Sequence, residues 1–316
     1  MDNKAKYREY CNKNEDSIVL FQRDWWLDAV CGEDKWDAAI HENNGTVIGA
    51  WAYPFKKKYN LGLINMPLLT PGLGPIINYF PGQKYASLLS HDYQVMEDLL
   101  KQLPKFDYFN QRFLPLYKNH LPFYWQGFQQ STRYSYRIKD LSNTEKLFEE
   151  LNSSIRSQIR KAEKTITLSE TEDVELFYKL NSLTFERQGA KIPYTLNFVK
   201  RINDACVKRN CRKMLLAKDA EGNIHAAVYL VWDKNSAYYL MGGADESYRS
   251  SGAYTLLIWH AIKTSAGLTQ QFDFCGSMIA PIERFFRSFG GEQIPYFHLK
   301  KINSKALKLI FSLKGE

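Results

Sequence analysis

Along this chain, apolar positions recur with period two in some stretches and near 3.6 in others. That alternation predicts an α+β protein. In the first half, a polar helix over residues 4–12 precedes a strand at 17–21 and a short helix at 25–30. Strands at 36–42 and 46–53 flank Asn43-Asn44-Gly45, a hairpin signal. A further strand is expected over 56–65, then a Pro/Gly loop at 66–75 (MPLLTPGLGP). A helix over 84–103 places Leu88, Leu89, Met96 and Leu99 near one face, and strands at 106–112 and 129–138 follow. The second half predicts helices at 144–151, 154–164, 174–187 and 196–209. Strands at 213–218, 225–232 and 237–242 come next, then a helix at 251–266, a strand at 271–275, a helix at 282–289 and a strand at 295–301. The two orders are alike, so two copies of one α+β plan are expected, with domains at 1–142 and 143–316.

A chain of 316 residues suits two domains, and 45% hydrophobic with 24% charged residues excludes disordered and fibrous classes. Aromatics at 15% favour large cores or ligand clefts. No apolar run reaches the ~18 residues of a membrane helix. The N-terminus MDNKAKYREY lacks an apolar signal core, so a cytoplasmic location is expected. Five scattered cysteines fit reduced thiols. The charge is uneven: residues 1–150 hold 18 Lys+Arg and 18 Asp+Glu, whereas residues 151–316 hold 24 and 16, the whole +8. Such a half suits an anionic partner or a solvated basic surface.

Neither phosphate-loop nor dinucleotide glycine patterns occur, nor a G-x-S-x-G elbow, and no His/Cys spacing suits a metal. The lone histidines, His41, His225 and His260 among them, are expected to be structural. What remains is chemistry by positioning, with the substrate's own nucleophile attacking. Four constellations qualify. In IRSQIRKAEK (155–164), Arg156, Arg160 and Lys164 form a basic row suited to phosphate, or a solvated helix face. Around 238–262, a strand ending at Gly242-Gly243 leads to a helix start at Ser251-Gly252, an anion-binding arrangement or a plain turn. In FDFCGSMIAPIERFFRSFGG (272–291), Asp273 alternates with Phe272 and Phe274, as a base or as half of an ion pair with Arg284. Finally, the 66–75 loop and residues 110–136 mix aromatics, amides and Arg, as a pocket lining or a core wall.

IRKAEK at 159–164, FDF-x-G-S at 272–277, RFFRSFGG at 284–291, LTPGLGP at 69–75 and TRYSYRI at 132–138 together resemble the FemABX and BioF2-like GNAT-type acyltransferases. The resemblance spans most of the chain. It implies tandem GNAT-like domains, each a mostly antiparallel mixed sheet flanked by helices, with an interdomain cleft. The first domain would lie on the acceptor side and the second on the donor side. The implied activity is N-acyl transfer from an acyl-CoA-like thioester to an amine, with no covalent enzyme intermediate and no tightly bound cofactor or metal. The alternatives are Fem-type transfer from aminoacyl-tRNA to a peptidoglycan-precursor amine, or a non-catalytic ligand-binding protein on a GNAT frame. DNA is not an expected partner.

The expected acceptor contacts are Thr70, Gly72, Gly74, Arg133, Tyr136 and Arg187. The expected donor contacts are Arg156, Arg160, Lys164, Gly243, Arg249, Gly252, Tyr254 and Phe285. Asp273 is the expected base and Arg284 the carbonyl stabiliser. Two departures stand out. Fem members carry Phe-Lys where this chain has Phe285-Phe286, and Tyr254 replaces the last small residue of the Q/R-x-x-G-x-G/A turn that Arg249 and Gly252 otherwise match.

Overall fold

A computed structural model describes residues 2–313. Contacts divide the chain into two units, Met1–Arg133 with Pro295–Glu316, and Tyr134–Ile294.

The first unit opens with α1 (Asn3–Lys13), whose Asp2 cap accepts from the Ala5 N–H at 2.7 Å. The expected strand at 17–21 is instead a pair of 3-10 turns, Glu15–Ser17 and Leu20–Gln22. Arg23 fixes them: its Nε donates to the Ile18 carbonyl and its Nη2 to that of Glu15. The apolar run is buried by these turns rather than by a pleat. Then come α2 (Asp24–Cys31) and the expected hairpin of β1 (Trp36–Asn43) and β2 (Thr46–Pro54). Residues 56–65 form a second hairpin, not one strand. β3 (Lys56–Lys58) and β4 (Leu61–Asn65) join through Tyr59 and Asn60, both at positive φ (50° and 60°). The unit continues with β5 (Ile76–Ile77), α3 (Tyr85–Lys101), β6 (Tyr108–Arg112), the unforeseen short α4 (Leu121–Trp125) and β7 (Gln129–Ile138), which runs on into the second unit.

The second unit carries α5 (Thr144–Glu150), α6 (Ser153–Ala162), β8 (Thr167–Thr171), α7 (Val174–Glu186) and α8 (Leu196–Val207). Next are β9 (Arg212–Lys218), β10 (Ile224–Trp232), β11 (Ser236–Ala244), α9 (Ala253–Ala266), β12 (Gln271–Asp273) and α10 (Ala280–Arg287). β8 to β11 form an antiparallel meander, β12 runs parallel to β11, and residues 137–138 of β7 run antiparallel to β12. β8 escapes the sequence pattern because TLSET is a polar edge strand with one aliphatic residue. The stripe Ile155, Ile159 and Ala162 of α6 is buried with Leu256, Leu257 and Ile262 of α9, as the spacing predicts.

The chain then returns. β13 (Glu292–Ile302) pairs antiparallel with β6, from His298 opposite Arg112 to Ile302 opposite Tyr108. Leu299 is fully buried in the core of the first unit. Residues 295–313, including the unforeseen α11 (Lys305–Leu313), therefore group with the first unit and not with 143–294. Among the described residues, no helix is long and apolar enough to cross a membrane, and no group of three His, Cys, Asp or Glu is placed to hold a metal.

Candidate active site

In the second unit, two parallel strands part company. β11 and β12 stay in register for three pairs, ending at Tyr238 opposite Asp273. β11 continues to Ala244, while the chain after Asp273 turns toward β7, where the Phe274 N–H donates to the Tyr136 carbonyl at 3.0 Å. Cys275 and Gly276 both adopt positive φ, and a Cβ on Gly276 would stand 2.4 Å from the Tyr134 carbonyl oxygen. Only glycine permits that approach.

Aromatic side chains gather at this fork. Phe286 stacks on Phe274 with centroids 4.9 Å apart and meets Tyr239 edge-on at 5.6 Å. Tyr254 stacks on Phe285 at 5.8 Å. The hydroxyls of half-buried Tyr239 and Tyr254 hydrogen-bond each other. Burial raises the pKa of both phenols, so both stay protonated at neutral pH. Whichever donates, the other keeps an O–H for a third partner. The sequence pattern singles out neither the pair nor Tyr239; Tyr239 sits mid-strand among apolar residues, and only the fold brings it to Tyr254.

The walls of the fork are closely packed. Gly242 and Gly243 have no room for side chains: a Cβ on Gly243 would lie 2.2 Å from the Leu180 carbonyl oxygen, where α7 crosses β11. Asn181 donates to the Gly242 carbonyl at 2.7 Å and accepts from the Tyr194 hydroxyl. Nearby, Glu246 takes Arg187 at 3.0 Å and Arg249 at 2.9 Å. Gly252 lies in the left-handed region (φ 73°), its missing Cβ only 3.3 Å from the Gln158 carbonyl, so it lets α6 pack on the start of α9.

Asp273 is 5% exposed, and its carboxylate is engaged on both oxygens. Oδ1 accepts from Ser135 Oγ (2.5 Å) and the Cys275 N–H (2.8 Å), and Oδ2 accepts from Arg137 Nε and Nη2 (3.0 and 2.8 Å). Its ion-pair partner is Arg137, not Arg284. Arg284 is exposed on α10, whereas its neighbour Glu283 accepts from the Tyr136 hydroxyl and pairs with Arg287. Tyr136 is 1% exposed, and its hydroxyl also accepts from Gln293. That phenol is spent inside the second unit.

Arg156, Arg160 and Lys164 do not join the fork. With Ser153, Ser157 and Lys161 they line an open trough of about 580 Å³ on the side of α6 away from its buried stripe. Arg156 donates to the Glu149 carbonyl, and Arg160 lies over the Phe148 ring.

In the first unit the 66–75 loop serves as a mount. Thr70 is 1% exposed; its Oγ1 accepts from Trp26 Nε1, and its carbonyl accepts from Arg112 Nη2 at 3.0 Å. Gly72 and Gly74 press on Leu114 and Phe113, with Gly74 at φ 106°. What the loop presents is Arg112. On β6, Phe109 and Phe113 enter the core, so Tyr108, Asn110 and Arg112 share the other face, opposite Ile302, Lys300 and His298 of β13. Ser131 reaches His298 Nδ1 at 3.5 Å. The result is a strip of Arg112, Lys300, His298 and the expected Arg133. Gln111 and Lys301 break the alternation of polar residues in 108–112 and 298–302, so the sequence pattern does not single out this face.

His298 Nε2 lies 2.6 Å from Asn110 Oδ1 and donates to it, since Asn110 Nδ2 is turned to Tyr108. Burial, then Arg133, Lys300 and Arg112, push the imidazole down from the usual 6.5 to about 4. The unfolded chain takes up this proton near pH 6.5 and the folded chain only near 4, so stability is lost as pH falls through that window. An anion on the strip would supply the missing negative charge. Titration of the His298 ring by NMR is therefore expected to show its pKa rising on addition of such a ligand, and His298→Gln is expected to flatten stability between pH 6.5 and 4.

Residues 150–287 match the family model described as the acetyltransferase (GNAT) domain. The solved structures similar to this chain include FemX, at TM-score 0.67 and 14% identity over 97% of this chain and 98% of that one. L-PGS from Bacillus licheniformis has TM-score 0.53 and 10% identity over 99% and 97%. A tandem GNAT protein from the clavulanic acid biosynthesis pathway has TM-score 0.51 and 12% identity over 84% and 82%. No curated protein matches the chain. At these identities the structures establish the fold, which is the tandem GNAT-like fold the sequence resemblance implied.

Proposed function

We propose, for a chain whose residues 150–287 carry a GNAT acetyltransferase domain, that it moves an acyl or aminoacyl group from an activated donor directly to an amine. The observation that carries this reading is the phenol pair at the fork of β11 and β12. Acyl transfer to an amine builds negative charge on the carbonyl oxygen, and the stabiliser must be a preorganised donor. Phe286 supplies none, whereas the Tyr239–Tyr254 pair holds a protonated O–H beside an apolar wall. In this reading the donor carbonyl points at that O–H. The incoming amine attacks, its proton passes through water to solvent or to the leaving group, and the thiol(ate) or alcohol leaves.

The preferred donor is an acyl-CoA-like thioester. The acceptor is an amine, and the strip of Arg112, Lys300 and Arg133 in the first unit suits a carboxylate or phosphate. Aminoacyl-tRNA is the second reading, favoured by the exposed basic trough on α6. Acyl-CoA raising the thermal midpoint, with transfer to an amine seen by mass, supports the first. Protection by charged tRNA alone, lost steeply with salt, supports the second. Tyr254→Phe keeps the ring stacking and is expected to lower kcat about 10²-fold with KM nearly unchanged. Wild-type kcat in that variant and in Tyr239→Phe with Tyr254→Phe, which leaves neither O–H, removes the phenol pair from the mechanism.

A further inference from the structure

α11 packs by only one edge. Leu307 and Phe311 are half-buried, and Phe311 stacks on Tyr108 with ring centroids 5.3 Å apart. At 100° per residue, Leu309, Leu313, Ala306 and Ile310 fall on an adjoining arc. That arc faces out: Leu309 is 64% exposed, Ile310 47% and Leu313 80%. Lys305 borders it, Lys308 lies on the opposite side of the helix, and both are exposed. Aliphatic residues left in water on a helix that has already used its packing edge call for an occupant.

The surroundings say which. Residues 293–313 contain four lysines and no acid. Lys308 lies near enough to Lys301 to depress its pKa, second to burial. The β3–β4 turn projects at the same end of the sheet, since Leu63 pairs with Tyr108 and Lys58 with Leu61. Lys56, Lys57 and Lys58 are exposed there, and Tyr59 is 88% exposed. The carboxylate of Asp107 at this end accepts from the Gly62 N–H. A second copy of this chain would set these lysines against each other. RNA would answer the lysines and leave the aliphatic arc in water. An anionic bilayer answers both, with headgroups for lysines and the acyl boundary for Leu309, Ile310 and Leu313.

We propose that α11 and the β3–β4 turn form a docking surface for an anionic lipid bilayer, with the exposed arc of α11 lying in the interface and Lys56–Lys58, Lys305 and Lys308 over the headgroups. The proposal does not depend on the acyl-transfer reading. The test is flotation of the full chain with vesicles of phosphatidylcholine containing 30% phosphatidylglycerol, against pure phosphatidylcholine. At least tenfold more protein is expected on the anionic vesicles. Ile310→Ser with Leu313→Ser is expected to cut that binding at least tenfold, as is Lys56→Glu with Lys57→Glu and Lys58→Glu, both with unchanged thermal midpoints. Three results overturn it: wild-type protein absent from anionic vesicles, both variants floating like wild type, or a concentration-dependent dimer that Ile310→Ser with Leu313→Ser disperses.

Discussion

Asp273→Asn is expected to destabilise the second unit by about 3–5 kcal/mol, because it leaves the Arg137 guanidinium largely buried beside a neutral amide. The side chains of this pair are 7% and 20% exposed, and the two Arg137 nitrogens fork onto one carboxylate oxygen. Arg137→Met strands the carboxylate instead and should fall in the same range. The double variant loses both charges together, so its loss is expected to be clearly smaller than the sum of the two, a coupling of roughly 1–3 kcal/mol in a denaturant cycle. Additive losses would mean that the pair does not act as a unit. The same proteins separate structure from chemistry. Turnover in the folded double variant matches a carboxylate that positions the β7–β12 junction. Turnover abolished with the fold intact makes Asp273 a proton acceptor.

Gly243→Ala is the second large effect. The new methyl would meet backbone, 2.2 Å from the Leu180 oxygen and 2.6 Å from the Asn181 nitrogen. No side-chain rotation relieves that, so α7 must lift from β11, and the Asn181 bond to the Gly242 carbonyl goes with it. A loss of about 3 kcal/mol or more is expected, seen as a fall in thermal midpoint of roughly 6–12 °C. Gly267→Ala is the control: its nearest neighbour is 3.7 Å away and its φ is ordinary, so its midpoint should hardly move. Equal behaviour of the two variants would contradict the packing of α7 on β11.

The expected elements that the structure keeps are those with a strong local signal. The α6 stripe repeats at helical spacing, the first hairpin has its Asn44-Gly45 turn, and β9 to β11 are near-continuous apolar runs. The misses have local causes. At 17–21 the side chains of Arg23 and Glu15 close 3-10 turns around an apolar run, a competition that hydrophobicity does not register. β8 and α4 are too short or too polar to carry a period, and Tyr59-Asn60 is a turn built on two non-glycine residues. For the site, Tyr254 and Phe285 stack on each other, Gly243 meets the backbone of α7, and Arg133 lies near His298. Asp273, Thr70 and Tyr136 are polar residues in promising motifs whose polar atoms the fold itself uses. The sequence shows such groups but not their partners: Arg137, Trp26 and Glu283 come from other elements. The same limit hid Tyr239 and the strip of Arg112, Lys300 and His298, which long-range pairing assembles.

The return of β13 to β6 has a bearing on how the molecule is made. Residues 134–294 form an insertion within the first unit, so a ribosome releases β6 long before its partner at 298–302 exists. The inserted unit has all its strands in hand once about 294 residues are synthesised and can condense while translation proceeds. The first unit cannot. Its sheet closes only after a loop of well over a hundred residues has been bridged, a slow, high-contact-order step that leaves the β6 edge bare in the interval. A nascent chain stalled before residue 295 would carry that edge open to any other strand, and there a cell's holding chaperones would be needed most.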